Sequence, residues 1–322
     1  MEGNLRWMLV TAVAPITWGA SYYVTRHLLP ADSPLWGSAL RALPAGLLLL
    51  LVARRLPRGS WWWRSLVLGT LNMGAFFVLV YVAAQLLPTS VAATVMATSP
   101  LVMMLIAWAL LAQRPTVPAV TGGALGLAGV AAMVLTGAGA LDVGGLVASV
   151  TAMLMSSLGF VLAQRWRDDE VDVVSSTAWQ LVAGGLTLLV AAAVVEGAPP
   201  RLDGPAWAGL AFLSLAATAL AYLAWFGGLR HLPAGTVGLV GLLNPVTGLA
   251  LGLVVGGEHL TPLQALGALV VLAGVALGHP ALSRPRPTPA TPTPTAPPPH
   301  HATSSSSAGR ENAVPARVLA RD

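Results

Sequence analysis

Long apolar runs separated by short polar breaks cover most of the chain up to residue 282. About 20 consecutive apolar residues let a helix cross a bilayer. Ser33-Pro34 and Thr261-Pro262 supply the N-cap residue and first-turn proline that are typical of helix starts. We therefore predict an all-α membrane protein with ten transmembrane helices, near residues 7–25, 33–53, 65–86, 89–111, 119–137, 143–164, 173–195, 206–227, 234–255 and 262–280.

The pattern occurs twice. A spacing of 145 residues relates four pairs of markers in the two halves: Leu87-Pro88 and Leu232-Pro233, Ser99-Pro100 and Asn244-Pro245, Gly122 and Gly267, Gly129 and Gly274. Earlier in the chain the spacing is 139, so the second copy has six extra residues between its second and third helices. Because each copy then has five helices, an odd number, we predict two inverted five-helix repeats, at 1–140 and 141–282.

The arginines orient these helices. With a cytoplasmic N-terminus, the external loops hold only Arg26 and Arg201. The internal loops and the near tail hold eleven arginines: Arg6, Arg54, Arg55, Arg58, Arg64, Arg114, Arg165, Arg167, Arg230, Arg284 and Arg286. Positive charge concentrates on the cytoplasmic side of membrane proteins, so both termini are expected to be cytoplasmic. Segment 283–322, rich in Pro, Thr and Ser, is expected to be a disordered cytoplasmic tail.

Composition narrows the classes of function. Hydrophobic residues make up 56% of the chain, charged residues 9%, and the mean hydropathy is +0.74, which excludes an ordinary soluble domain. The net charge of +5 lies mainly in short loops, so no nucleic-acid partner is expected. The chain has no cysteine, and its acidic residues fall in loops, tails or span ends. We therefore expect no enzyme activity, no catalytic residue, no metal site and no cofactor.

Two matched prolines are the first candidates for a binding site. Pro100 and Pro245 lie near the centres of the fourth and ninth predicted helices, and each follows a polar residue, Ser99 or Asn244. A proline frees the carbonyl four residues earlier, here those of Met96 and Gly241, and in lipid a free carbonyl needs a neighbouring helix or a wet cavity. A single proline would fit a packing kink equally well. Two at matched positions favour a cavity.

Three pairs of aromatic or polar residues share a helix face: Trp18 with Tyr22, Asn72 with Phe76, and Tyr222 with Trp225. Such side chains can stack on a small organic solute or donate hydrogen bonds to it. Each residue alone also fits ordinary packing or a position near the lipid headgroups. Together they extend the predicted substrate-binding site.

Charged groups supply the last candidates. Arg41 is the only arginine well inside an apolar run, where it costs about 2.5–3.5 kcal/mol on the insertion scale. It either holds an anionic substrate or links helices, and the second role is slightly favoured. Glu258, with its neighbour His259, lies near the end of the ninth helix and is the candidate for proton coupling. Its counterpart in the first copy is Gln113, so that role is not duplicated.

Residues 7–280 resemble the EamA-type transporters of the drug/metabolite transporter superfamily. The resemblance rests on Trp18-Gly19, Arg41, the two Leu-Pro…Pro…Gly segments, and Gly257-Glu258-His259-Leu260-Thr261 followed by Gln264 and Gly267. The first repeat departs from the family's usual Gly-Glu at Ala112-Gln113. The resemblance implies a carrier of the bacterial inner membrane, with ten helices around a central cavity, that exports amino acids, metabolites or toxic compounds.

Two other functions stay open at this point. An exchanger of sugar phosphates or nucleotide sugars would need more cationic residues in the cavity than Arg41 alone, and a lipid flippase would need a lateral opening. Export of a small metabolite, amino acid or drug-like solute by alternating access is favoured. The expected partners are that small-molecule substrate and membrane lipids, with a homodimer left open.

Overall fold

The computed structural model describes residues 2–87, 95–96, 98–134, 142–256 and 262–277. All regular elements in these ranges are helices, as predicted. Five helical segments are long and apolar enough to cross a membrane: Pro34–Ala53, Trp61–Leu86, Val143–Arg165, Val173–Val195 and Gly204–His231. Shorter apolar helices occupy Ser99–Leu111, Val117–Gly129 and Ala265–Leu277. The apolar helices confirm a membrane protein, and the number of ten spans stays a prediction.

Within the described ranges the chain forms thirteen α-helices and one π-helical segment. They are α1 (Glu2–Leu28), α2 (Pro34–Ala53), α3 (Trp61–Asn72), α4 (Gly74–Leu86), α5 (Ser99–Leu111), α6 (Val117–Val134), α7 (Val143–Arg165), α8 (Val173–Val195), α9 (Gly204–Ala211), π1 (Phe212–Leu220), α10 (Ala221–His231), α11 (Ala234–Val240), α12 (Leu243–Gly256) and α13 (Pro262–Leu277).

Aspartate side chains start three of these helices. Asp142, Asp172 and Asp203 precede α7, α8 and α9, and each accepts a hydrogen bond from the backbone N–H three residues later, at 2.7, 2.7 and 2.8 Å. Each bond satisfies one of the free N–H groups of a first helical turn. Burial raises the pKa of Asp172, but hydrogen bonds from the Ser175 backbone and hydroxyl outweigh it and hold the pKa below its ordinary value.

Helix α2 begins at Ser33-Pro34 as predicted, with Ser33 as its N-cap residue and Pro34 in its first turn. The Ser33 side chain makes no cap bond. Instead the carboxylate of Glu196, which follows α8, accepts hydrogen bonds from the backbone N–H groups of Leu35 at 2.7 Å and Trp36 at 2.9 Å. A carboxylate at a helix N-terminus also complements the helix dipole. The end of α8 therefore caps the start of α2.

The third and eighth predicted spans are interrupted helices. The third begins at Trp61, earlier than predicted, and breaks at Met73 between α3 and α4. The eighth runs from Gly204 to His231 and contains π1. A π-helical turn is rare because it departs from the regular backbone hydrogen-bond pattern. Where one occurs, it commonly marks a functional site.

The two matched prolines lie at helix starts rather than at the centres of continuous helices. Pro100 is the second residue of α5, and Pro245 is the third residue of α12, just after a turn at Gly241 and Leu242. In a first helical turn the missing proline N–H leaves nothing unpaired. The Gly241 carbonyl is not free either, because it accepts a hydrogen bond from the Asn244 N–H at 3.0 Å. The expectation for the Met96 carbonyl stays a prediction.

Helices that correspond by sequence pack against each other. The two most extensive helix contacts are α2 with α8 and α6 with α13, which are the second and the fifth predicted helices of the two repeats. The contacts of the first helix of each repeat are reciprocal. Helix α1 packs on α10 and α12 of the second half, and its counterpart α7 packs on α4 and α5 of the first half.

Glycines allow the α6–α13 crossing. A Cβ on Gly129 would lie 2.6 Å from the Gly267 carbonyl oxygen, and a Cβ on Gly274 would lie 2.5 Å from the Gly122 carbonyl oxygen. These four glycines are the markers that reveal the spacing of 145 residues. Small residues let membrane helices approach to backbone contact, so each half of this symmetric crossing joins one glycine of one marker pair to one glycine of the other.

Candidate substrate cavity

A central cavity of about 720 Å³, including its open mouth, lies among the broken spans. Eight of the residues selected from the sequence line it: Trp18, Tyr22, Arg41, Phe76, Ser99, Trp225, Asn244 and Pro245. They come from helices far apart in the chain. The structure thus brings most of the predicted site residues to one place.

Three other candidates are not in the described cavity wall, and two lie outside the described residues. Pro100 is buried between α5 and α11, where a Cβ on Gly238 would lie 3.0 Å from the Pro100 Cα atom. Asn72 and Tyr222 are fully buried behind the wall. Glu258 and His259 lie outside the described residues, as do Thr261 and the predicted tail 283–322.

The carbonyl of Ala217, inside π1, joins three helical segments at the cavity. It accepts a hydrogen bond from Trp18 Nε1 at 2.9 Å and another from Arg41 Nη2 at 3.2 Å. Arg41 Nε also donates to the Thr218 hydroxyl at 2.9 Å. Trp18 lies in α1 and Arg41 in α2, so two of the residues that carry the family resemblance bind the same backbone oxygen. We call this group the Ala217 node.

A second node occupies the matching place in the other repeat. Asn72 corresponds to Ala217 at the repeat spacing of 145 residues, and Arg41 corresponds to Gln180 at the spacing of 139. Asn72 donates its side-chain amide to Gln180 Oε1 at 3.1 Å, and its backbone carbonyl accepts the Tyr222 hydroxyl at 2.7 Å. The break between α3 and α4 is therefore stabilised as π1 is, with other side chains.

Arg41 links helices, which is one of the two roles that its sequence position left open, and its binding of an anionic substrate stays a prediction. It is 7% exposed, it links α2 to π1 through Ala217 and Thr218, and its guanidinium lies 4.1 Å from the centre of the Phe77 ring. It also lines the cavity, where it is the only charged residue in the described part of the wall. The link is structural, and the charge faces the place a substrate would occupy.

Aromatic rings form one side of the cavity. The centre of the Trp18 ring lies 6.3 Å from that of Phe160, and these two rings are stacked. The Trp225 ring is tilted against both, with its centre 5.0 Å from Trp18 and 5.3 Å from Phe160. Tyr222 supports Trp18 from behind at 5.2 Å. Flat faces of this kind suit a planar solute.

The wall also contains polar groups available to a ligand. Trp225 is 3% exposed, and its Nε1 has no hydrogen-bond partner in the described structure. The side-chain amide of Asn244 makes no bond to any described residue. Ser156 and Ser157 add hydroxyl groups whose own bonds are long, at 3.2 Å to the Met153 carbonyl and 3.9 Å to the Met153 sulfur.

The sequence reasoning missed several wall residues. They are Ser21, Val80, Met103, Ser156, Ser157 and Phe160. The repeat spacing of 139 residues makes Ser157 the counterpart of Trp18, so this signal could have predicted one of them. Phe160 is three residues further along the same helix, and Ser21 is three residues after Trp18. A spacing of three residues from the matched positions Trp18 and Ser157 would therefore have predicted Ser21 and Phe160 as well.

Gln113 has a structural role. Its Nε2 donates to Gln164 Oε1 at 3.1 Å, and its Oε1 accepts the Ala234 backbone N–H at 3.3 Å. Gln164 in turn donates to the Leu229 carbonyl at 2.9 Å. The glutamine that replaces the usual acid of the first repeat therefore joins α7 to the start of α11.

Comparison with known proteins assigns the fold to a family. The model of the EamA-like transporter family matches residues 5–135 and again 143–278. The chain belongs to this family. It is therefore an EamA-type transporter of the drug/metabolite transporter superfamily, a multi-pass membrane protein with two EamA segments, as the sequence motifs indicated.

Curated relatives extend over most of the chain. It is 36% identical to Protein PecM of Dickeya dadantii over 269 residues, covering 82% of this chain and 89% of that protein. It is 27% identical to the uncharacterized transporter YvbV of Bacillus subtilis, with 84% and 91% covered, and 27% identical to the uncharacterized inner membrane transporter YedA of Escherichia coli K12, with 81% and 87% covered. These relatives are bacterial, and two carry the name transporter.

A solved crystal structure has the same fold. It superimposes with a TM-score of 0.72 over 87% of this chain and 98% of the other, at 20% sequence identity. At that identity the likeness concerns the fold alone. This EamA-type transporter therefore shares its helix arrangement with a protein of known crystal structure.

The second node predicts a loss of stability for Tyr222→Phe. The change removes only the hydroxyl that bonds the buried Asn72 carbonyl at 2.7 Å. A buried acceptor left unpaired costs about 1–3 kcal/mol, so the free energy of unfolding should fall by about that amount. Unfolding of the purified protein in detergent measures it. Tyr23→Phe is the control, because Tyr23 is 38% exposed. Equal stability of the two variants would contradict the stabilising role of the bond between the Tyr222 hydroxyl and the Asn72 carbonyl.

Proposed function

We propose that this EamA-type transporter is a secondary carrier that exports a small metabolite, amino acid or drug-like solute by alternating access. The observation that carries the proposal is the central cavity. Its wall combines aromatic faces with unpaired polar groups, and it includes Ser99 and Asn244 at the two matched helix breaks. Broken helices from both repeats around one site are typical of alternating-access carriers.

The same proposal includes ten spans in two inverted repeats, at 1–140 and 141–282. The reciprocal packing supports this arrangement, since α1 packs on the second half as α7 packs on the first. The two nodes and the symmetric glycine crossing also support it, because each relates residues at spacings of 139 or 145. Two equivalent scaffolds can exchange conformations, which opens the shared site to one side and then the other.

Both termini are proposed to be cytoplasmic. Loops assigned to one side meet each other: Arg55 lies 3.9 Å from Asp172, and Arg230 donates to the Asp168 carbonyl at 2.8 Å. At the other end Glu196 caps α2, and Trp36 Nε1 donates to the Gly197 carbonyl at 3.2 Å. The excess of arginine at the first end supports its assignment to the cytoplasm.

A reporter enzyme fused after residue 200 tests this orientation. The proposal places that loop outside, so a phosphatase that is active only outside the cytoplasm should be active there. A fusion after residue 168 is the matched control and should be inactive. The reverse pattern would contradict the orientation.

The charge of the wall separates this function from its runner-up. A sugar phosphate or nucleotide sugar carries at least two negative charges, and Arg41 is the only cationic residue in the described wall. A dianion in a low-dielectric site needs more compensation than one guanidinium supplies. Glu258 and His259 stay candidates for proton coupling.

Uptake into inverted membrane vesicles tests the carrier most directly, because their cytoplasmic face is outward and an exporter fills them. A panel of labelled amino acids, organic acids and planar drugs would be offered to vesicles with and without the protein. We expect protein-dependent accumulation of some solutes. Asn244→Ala should reduce it at least about tenfold by removing a wall amide. The matched control Asn4→Ala, exposed near the start of α1, should not. No accumulation of any solute would refute the carrier.

A further inference from the structure

The charge of Arg41 has no counter-ion in the described structure. The two ion pairs there, Arg55 with Asp172 and Arg167 with Asp169, lie in exposed loops. The bonds that Arg41 makes go to a carbonyl, a hydroxyl and the face of a ring, all formally neutral. No Asp or Glu lies in the described cavity wall. The described part of the cavity wall therefore carries a net charge of +1.

A buried, uncompensated cation favours one sign of ligand. A charge that has left water costs several kcal/mol, and an opposite charge in the same low-dielectric site recovers part of that cost. A cationic solute would add to it. Arg41 therefore favours a monoanion over a neutral solute and disfavours an organic cation.

Trp225 adds a directional contact. Trp225 belongs to the cavity wall, and its Nε1 is buried and lacks a partner in the described structure. An indole N–H can only donate, so the missing partner is a hydrogen-bond acceptor. Trp18 lies 5.0 Å from Trp225, and its own N–H binds the same Ala217 carbonyl as Arg41. Trp18 thus connects the residue with the free donor to the residue with the charge in the cavity wall.

The aromatic wall decides the body of the ligand. Trp18, Phe160 and Trp225 present ring faces within 6.3 Å of one another. A planar ring system can stack on these faces, whereas a branched or highly hydrated solute cannot make the same stacking contact. The acceptor group of the same molecule then meets Trp225 and Arg41.

Building on the proposed function, we infer that the cavity binds planar aromatic monoanions, whose carboxylate or equivalent oxygen accepts the Trp225 N–H beside the Arg41 guanidinium, and that it rejects organic cations. In this inference Trp225 selects ligands with a hydrogen-bond acceptor, and Arg41 selects ligands with a negative charge.

Three probes with one ring system separate these contributions: 2-naphthoate, 2-naphthamide and 2-naphthylmethylammonium. Binding to the purified full chain in lipid nanodiscs would be measured for each. We expect 2-naphthoate to bind at least about tenfold more tightly than the ammonium probe, with the amide between them. An ammonium probe that binds as tightly as 2-naphthoate would overturn the inference, and so would the absence of binding by all three.

Two variants assign the effect to residues. Trp225→Phe removes the N–H and keeps a ring, so 2-naphthoate should bind about tenfold more weakly, while Trp108→Phe, at a tryptophan that is 53% exposed, should change nothing. Arg41→Gln, which copies Gln180 of the other repeat, should abolish the preference for the anion over the amide. Unchanged 2-naphthoate binding in Trp225→Phe would overturn the role of this donor, even if Arg41→Gln failed to fold.

The outcomes distinguish this inference from the proposed function. Vesicles that accumulate organic cations and not the naphthoate would keep the carrier and overturn the anion selectivity. Vesicles that accumulate no solute from the broad panel would overturn the carrier itself.

Discussion

The Ala217 carbonyl is the group on which the rest of the site depends. It lies within π1, and an unsatisfied carbonyl inside a membrane costs several kcal/mol. Trp18 and Arg41 both bond to it, so the constraint that satisfies the backbone also fixes α1 and α2 against π1. The positions of one aromatic wall residue and of the cavity's charge follow from that single oxygen.

The equivalent node at Asn72 meets the same constraint with different chemistry. Gln180 replaces Arg41, and the Tyr222 hydroxyl replaces the two nitrogen donors at the carbonyl. A duplicated scaffold can therefore conserve its backbone irregularities while it changes the side chains that stabilise them. Only one half places a charge beside the cavity, so the substrate meets an asymmetric site inside a nearly symmetric frame.

Much of this could be predicted from the sequence, because apolar run length, repeat spacing and arginine placement are local patterns. Helix-face spacing and matched breaks predict seven cavity residues, including Trp18 and Asn244, and the charge of Arg41 inside an apolar run predicts the eighth. The rest depends on partners distant in sequence. Glu196 caps α2 from about 160 residues away, and Trp18 and Arg41 satisfy the Ala217 carbonyl of π1 from about 200 and 180 residues away. The prolines were misplaced within their helices, because a proline also fits the first turn of a new helix.

Alternating access is the central claim, and cysteine accessibility tests it most directly because the chain has no cysteine of its own. Ser99→Cys places one thiol in the cavity wall. A membrane-impermeant thiol reagent would be added to right-side-out and to inverted vesicles, with and without a transported solute on one side. The account predicts that the solute slows labelling from one side and speeds it from the other. Equal labelling from both sides that the solute does not change, or no labelling from either side, would contradict it.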